Sequence, residues 1–134
     1  MSVEQSPVIC IVDDDVSVRR SLARLITSFG LSVETYSSGP EFFAASHPNG
    51  IECLILDVHL GGMSGFELHE RLKLTARVPP VIFITAHDDA ATREQARHCG
   101  AVAYIRKPFE ASSVLIEIGR MIGRDLDVSG LGSP

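Results

Sequence analysis

The sequence predicts an α/β domain in which helices cover both faces of a parallel sheet. Five short apolar runs, each typical of a buried strand, alternate with stretches whose apolar residues recur at helical spacing. Crossovers between such strands are expected to be right-handed. The length of 134 residues suits one domain with one core, and the sequence contains no internal repeat or low-complexity segment.

The strands are predicted from continuous apolar or β-branched runs. Such runs are typical of strands buried on both faces of a parallel sheet. One of them alternates weakly between apolar and polar residues, so we place it nearer an edge. The predicted strands occupy residues 7–12, 31–36 (the one nearer an edge), 52–57, 81–85 and 102–105.

The helices are predicted from apolar stripes and from residues that start or stop a helix. Pro40 suits the first turn of the second helix, and Gly30 and Gly100 are typical stops after the first and fourth. Pro79 and Pro80 are expected to end the third helix, and the fourth has little apolar face. The helices are predicted at residues 18–29, from 38 to before 47, and at 66–74, 88–98 and 111–122.

Composition argues against a nucleic-acid-binding, membrane-spanning or secreted protein. The net charge of −5 argues against non-specific binding of nucleic acid, and no apolar run approaches the ~20 residues of a membrane span. The first seven residues lack the features of a secretion signal. Cys10, Cys53 and Cys99 fit no metal-binding spacing, and we interpret them as reduced, mostly buried thiols. These features predict a cytoplasmic protein without membrane contact.

Polar side chains follow four of the five predicted strands. Because the carboxyl ends of parallel strands share one edge, these side chains are expected to lie together. Crowded carboxylates repel, so they take up protons unless a hard cation such as Mg²⁺ offsets their charge. The side chains are Asp13, Asp14 and Asp15 after the first strand, Asp57 after the third, Thr85 at the end of the fourth and Lys107 after the fifth.

Asp57 is the candidate nucleophile of this group. A carboxylate beside a cation, a lysine and a hydroxyl suits attack on phosphorus and formation of an aspartyl phosphate. The cation and Lys107 would hold the equatorial oxygens during in-line transfer. Thr85 could donate its hydroxyl to the attached group. The residues therefore predict phosphoryl transfer to Asp57.

The chain resembles the receiver domains of two-component response regulators over residues 7–123. The resemblance implies a flavodoxin-like (βα)5 three-layer sandwich, with a five-stranded parallel sheet in the order 2-1-3-4-5. It also implies a signalling switch phosphorylated by a sensor histidine kinase, without turnover of an outside substrate. The motifs that carry it are Val12–Asp14, Leu56–Asp57 with Met63–Gly65, Ile84–Ala86, Gly100–Ala101 and Lys107–Phe109.

The resemblance implies a metal site and a phosphoacceptor. Asp57 would be the phosphoacceptor, and Mg²⁺ (or Mn²⁺) would bind Asp13, Asp14, Asp57 and the backbone carbonyl of His59. Asp15 is left to cap the first helix, because acids favour helix N-termini. One departure is Gly61, where the family usually has proline, and the Gly61–Gly62 pair is expected to loosen the loop.

The resemblance also implies a switch and an output. Thr85 would sense the phosphoryl group with Lys107, Tyr104 would be the aromatic switch partner, and the Lys107–Pro108 peptide would have a specific, cis conformation. Two stretches look most like the corresponding parts of receivers that precede helix-turn-helix transcription domains. They are Leu56–Leu60 and Gly100–Glu110. A phosphorylation-dependent homodimer is expected to form through the fourth helix, fifth strand and fifth helix. This segment itself is not expected to bind nucleic acid.

Two other functions fit the sequence less well. A phosphohydrolase of the haloacid-dehalogenase type would carry a second aspartate two residues after its nucleophile, where this chain has His59. A flavin-binding module would need a phosphate loop after the first strand, where the three acids would repel phosphate.

His59 and His87 could affect the lifetime of the phosphoryl group. The other histidines, His47, His69 and His98, are interpreted as solvated and without metal partners at helical spacing.

The sequence predicts a domain boundary near Gly123. Residues 1–123 would form the receiver domain. Residues 124–134 turn to glycine, serine and aspartate, and we interpret them as a linker stub or a frayed tail.

Overall fold

The chain forms five strands that alternate with five helices in a computed structural model, which describes residues 8–47, 50–75 and 77–131. Pro7 and part of the predicted loop at 47–50 lie outside the described residues. The elements are β1 (Val8–Val12), α1 (Val16–Thr27), β2 (Val33–Tyr36), α2 (Gly39–Ala44), β3 (Ile51–Asp57), α3 (Gly65–Leu72), β4 (Val81–Thr85), α4 (Ala90–His98), β5 (Ala103–Arg106) and α5 (Ala111–Ile122).

The strands form one sheet in the order β2-β1-β3-β4-β5, and every neighbouring pair is parallel. This confirms the predicted fold class and strand order. It also confirms the edge position of β2, whose one partner strand among the described residues is β1. Because all strands point the same way, Asp13, Asp57 and Thr85 reach the same edge of the sheet.

Two apolar clusters pack against opposite faces of the sheet. Successive strand residues point to opposite faces, so Ile11 belongs to one cluster and Val12 to the other. Helices α2, α3 and α4 cover the face of Val12, and α1 and α5 cover the face of Ile11. The result is the predicted three-layer arrangement.

Three helices differ in their bounds from the prediction. Helix α1 begins at Val16 and ends at Thr27, each two residues earlier than predicted. Helix α3 ends at Leu72, well before the prolines at 79 and 80, and Leu74 is 88% exposed. Helix α4 begins at Ala90, because the Asp89 carboxylate accepts a hydrogen bond from the Thr92 backbone at 2.7 Å and caps the helix. In the described ranges, no helix combines the length and apolar character that crossing a bilayer requires.

Asp15 caps α1, as predicted. Its Oδ1 accepts a hydrogen bond from the backbone N–H of Ser17 at 2.8 Å, and its backbone has the extended conformation of an N-cap. The Asp15 carboxylate therefore binds the first turn of α1, whereas Asp13 and Asp14 lie directly after β1.

The segment after α5 folds back onto that helix. The Arg124 N–H donates to the carbonyl of Gly119 at 2.9 Å, and Leu126 packs against the cluster that contains Ile11. A Cβ at position 119 would lie only 2.6 Å from the Arg124 carbonyl oxygen, so glycine permits this close approach. The domain boundary at residue 123 remains a prediction.

Gly65 lies where α3 begins above the end of β3. Its N–H donates to the Val58 carbonyl at 2.8 Å, and a Cβ here would press into the carbonyl of Asp57. Gly65→Ala is therefore expected to lower the free energy of unfolding by about 1–3 kcal/mol, the usual cost of overpacking. Denaturant titration measures this change. Gly61→Ala is the matched control, because its Cβ would meet open space; equal losses in the two variants would contradict the argument.

Candidate functional site

The carboxyl ends of β1, β3 and β4 bring three predicted site residues together. Asp13 and Thr85 are fully buried and Asp57 is 4% exposed, whereas Asp14 is exposed. Carboxylate oxygens of Asp13, Asp14 and Asp57 lie within 4.8 Å of one another. Buried carboxylates this close require positive charge nearby.

Lys107, in the connection from β5 to α5, supplies that charge. Its Nζ lies 2.8 Å from Asp13 Oδ2 and 3.2 Å from Asp57 Oδ2. It donates a hydrogen bond to Asp57, whereas its contact with Asp13 is an ion pair outside hydrogen-bond geometry. Burial by itself would lower the pKa of Lys107, but the two carboxylates outweigh it and raise the pKa, so the ammonium persists.

Asp57 is less acidic than an ordinary aspartate. Burial and, second, the charge of Asp13 raise its pKa to about 6. Two contacts oppose this rise: the His59 N–H donates to Oδ1 at 3.1 Å, and Lys107 donates to Oδ2. The ionised carboxylate therefore lies in a site that would gain from further positive charge.

The three carboxylates fit a hard divalent cation. Asp13 Oδ2 is buried and already contacts the Lys107 ammonium at 2.8 Å, and a carboxylate oxygen has a second lone pair that can accept a further partner. Clustered carboxylate oxygens are the ligands that Mg²⁺ and Mn²⁺ prefer. The backbone of His59 is also at the site, because its N–H contacts the Asp57 carboxylate.

The Thr85 hydroxyl is bound to the loop that leads into α4. Its Oγ1 accepts a hydrogen bond from the His87 N–H at 2.9 Å and lies 3.3 Å from the His87 carbonyl oxygen. Donation to a phosphoryl group would therefore require the hydroxyl to leave the His87 carbonyl.

Tyr104 is half-buried beside the same loop. Its hydroxyl donates to Asp88 Oδ1 at 3.2 Å, and Arg93 pairs with the same oxygen at 2.8 Å. Thr85 and Tyr104 thus both contact residues 86–89. The switch roles of Thr85 and Tyr104 were expected from the sequence, but the hydrogen bond between Tyr104 and Asp88 was not.

Two further features agree with the sequence-based expectations. The Lys107–Pro108 peptide is cis. The cysteines are free thiols, two of them buried and Cys99 half-buried. The exposed rings of His59 and His87 meet edge to face, with centroids 5.0 Å apart, at the rim of the site.

The interpretation of His47 and His69 as solvated was wrong. His69 is 3% exposed and packs edge to face against Phe83. His47 Nε2 lies 3.5 Å from Cys10 Sγ and 3.3 Å from Glu34 Oε1. Helical spacing in the sequence does not reveal this group, because Cys10 and Glu34 are partners in the register of two strands.

The raised pKa of Asp57 predicts a pH-dependent stability. Since the folded protein holds the Asp57 proton more tightly than the unfolded chain, this group makes stability fall as the pH rises from about 4 to about 6. Without divalent cations, Asp57→Asn should therefore raise the free energy of unfolding at pH ~8 by about 1–2 kcal/mol, after allowance for solvent screening. The gain should vanish towards pH ~4. Denaturant unfolding in a chelating buffer measures it, and a gain independent of pH would contradict this assignment.

The chain is similar in sequence to known response regulators. The sequence profile described as the response regulator receiver domain matches residues 9–118. The response regulator protein TodT of Pseudomonas putida is 38% identical over 112 residues, which cover 84% of this chain and 49% of TodT. The transcriptional regulatory protein FixJ of Azorhizobium caulinodans is 33% identical over 117 residues, covering 87% of this chain and 56% of FixJ. The chain thus spans about half the length of the curated relatives it matches.

A solved structure agrees in fold. The crystal structure of a response regulator receiver protein from Burkholderia phymatum superposes with a TM-score of 0.79 at 42% sequence identity. The match covers 91% of this chain and 99% of that one.

Proposed function

The chain belongs to the response regulator receiver family, and from that premise we propose that it accepts a phosphoryl group from a sensor histidine kinase onto Asp57. One observation carries the proposal: the buried Asp57 carboxylate lies 3.2 Å from the Lys107 ammonium and within 4.8 Å of the oxygens of two other acids. This is the arrangement that a carboxylate nucleophile for phosphoryl transfer requires.

The reaction is an in-line displacement at phosphorus. A bond forms between a carboxylate oxygen of Asp57 and phosphorus, while the phosphorus–nitrogen bond of the donor phosphohistidine breaks. The His59 N–H holds the Asp57 carboxylate in place. The Lys107 ammonium exchanges its contact with that carboxylate for a contact with a phosphoryl oxygen. The chain thereby assists its own phosphorylation and dephosphorylation and turns over no outside substrate.

Asp13, Asp14, Asp57 and the carbonyl of His59 would hold Mg²⁺ or Mn²⁺. When bound, the cation would supply positive charge for the phosphoryl oxygens and offset the repulsion among the acids. Asp14 is the exposed member, so it can be replaced without opening the core.

Asp14→Ala is expected to weaken Mg²⁺ binding about tenfold or more, since even outer-shell partners of a metal are worth that much. Calorimetric titration measures the change. Asp15→Ala is the matched control: it removes a neighbouring carboxylate that caps α1, and its affinity for Mg²⁺ should stay at the wild-type value. Wild-type affinity in Asp14→Ala would place the metal elsewhere.

The output proposed for this switch is transcriptional, as FixJ is named a transcriptional regulatory protein. We propose that this protein acts in the cytoplasm. The receiver unit is proposed to comprise residues 1–123, with 124–134 as a linker stub or tail. Phosphorylation is proposed to promote a homodimer through α4, β5 and α5.

Incubation with a small acyl phosphate tests the function without the kinase. The intact mass of the protein should rise by one phosphoryl group in the presence of Mg²⁺ and stay unchanged with a chelator. A protein that gains no phosphoryl group with Mg²⁺ present would contradict the proposed function.

A further inference from the structure

Cys10, Glu34 and His47 bring a thiol, a carboxylate and an imidazole together away from the acids around Asp57. We propose that these three residues form a second metal site, for a borderline-soft divalent ion of the Zn²⁺ type. Cys10 lies in β1, Glu34 beside it in β2, and His47 in the connection from α2 to β3. One potential ligand atom from each lies within 4.8 Å of the others.

Two of the three ligand–ligand spacings match tetrahedral coordination. Zinc–ligand bonds of about 2.0–2.3 Å place nitrogen and sulfur ligands about 3.5 Å apart, and nitrogen and oxygen ligands about 3.4 Å apart. His47 Nε2 lies 3.5 Å from Cys10 Sγ and 3.3 Å from Glu34 Oε1. An ion bound to these three atoms would keep both spacings from His47 and leave a fourth position for water.

The donor set selects the type of ion. A thiolate and an imidazole favour Zn²⁺ over Mg²⁺, which prefers oxygen ligands only. The Cys10 thiolate and the Glu34 carboxylate together balance the double charge of the ion. Because burial and, second, the charge of Glu34 raise the pKa of the Cys10 thiol to about 12, that thiol enters the site protonated. Binding forms the sulfur–metal bond and releases this proton to solvent.

Tyr36 supports the proposed ligands. Its hydroxyl donates to Glu34 Oε1 at 2.6 Å and lies 2.9 Å from His47 Nε2. With an ion bound, the His47 nitrogen would face the metal. Tyr36 would keep its hydrogen bond to Glu34, the role that outer partners commonly have in metal sites.

An ion can approach this group from the edge of the sheet. The Glu34 side chain is 49% exposed, although Cys10 is buried and the side chain of His47 is 10% exposed. His47 lies in the connection from α2 to β3, and the other two ligands lie on β1 and β2. A bound ion would therefore link that connection to the sheet. Because the ion binds only the folded protein, it would raise the free energy of unfolding.

Zn²⁺ titration of the full chain against a chromophoric chelator tests the site, with saturating Mg²⁺ present to occupy the acids around Asp57. Glu34→Gln and His47→Gln are each expected to weaken Zn²⁺ binding about tenfold or more. Glu34 is half exposed, so that variant keeps the core intact. With Co²⁺ as the probe, thiolate-to-metal charge-transfer absorption should appear in wild type and disappear in Cys10→Ser.

Two cysteine variants serve as controls. Cys53→Ser removes an equally buried thiol on the opposite face of the sheet, and it should bind Zn²⁺ as wild type does. Cys99→Ser should do the same, although Cys99 lies in another possible ligand group with His69 and Glu70. The proposal is overturned by wild-type Zn²⁺ affinity in Glu34→Gln and His47→Gln, by loss of binding in Cys99→Ser, or by Co²⁺ binding without the thiolate absorption.

Discussion

Asp57→Asn is expected to abolish the acid-labile phosphoryl group that a small acyl phosphate and Mg²⁺ attach to the wild-type protein. The amide has no negative oxygen to attack phosphorus. Neither neighbouring acid should substitute for it, because Asp13 is fully buried and paired with Lys107 at 2.8 Å, and Asp14 lies at the exposed side. The expected loss is complete rather than partial. Intact mass and an acid-stability assay measure it.

The control for this variant is Asp15→Asn. It makes the same chemical change in a nearby exposed aspartate, and asparagine caps helices about as well as aspartate does. Asp15→Asn should therefore be phosphorylated as wild type is. A phosphoryl group retained by Asp57→Asn would show that the acceptor lies elsewhere.

Thr85→Ala is expected to separate phosphorylation from dimerisation. Thr85 binds the His87 backbone and Tyr104 binds Asp88, so both contact the loop that leads into α4. Ala96 is the buried residue of α4, which leaves that helix few apolar contacts to hold it. We expect the Thr85 hydroxyl to move to the phosphoryl group, Tyr104 to turn inward, and α4 to shift.

The required free energy is modest. Moving the dimer-competent form from a few per cent to a majority needs roughly 2–3 kcal/mol. Sedimentation with and without beryllofluoride, a mimic of the phosphoryl group, should show wild type changing from monomer to dimer and Thr85→Ala staying monomeric. Thr85→Ser is the matched control, because it keeps the hydroxyl and should dimerise. A wild type that stays monomeric with the mimic, or a Thr85→Ala variant that dimerises equally well, contradicts this mechanism.

The sequence predicted the fold and the acid group because both depend on local patterns. Continuous apolar runs identify the strands, and the shared edge of a parallel sheet brings Asp13 and Asp57 together. Lys107 could be added because it directly follows the last strand. The Asp15 cap was predictable for the same reason, since capping involves only neighbouring residues.

Other features depend on contacts that the order of residues does not reveal. Helix α3 ends at Leu72 although the six residues from 73 to 78 contain no proline or glycine. The pairing of Cys10 with Glu34 follows from strand register, and His47 reaches them only through the path of a loop. The requirement for glycine at position 65 appears only when the Asp57 carbonyl is seen beneath it.

Borohydride reduction of the phosphorylated protein, followed by peptide mass spectrometry, tests the central claim most directly. The reagent converts an aspartyl phosphate to homoserine and leaves unmodified aspartates intact. We predict homoserine at position 57 alone. Homoserine at position 13 or 14, or at any other position in place of 57, would contradict the assignment of Asp57 as the phosphoacceptor.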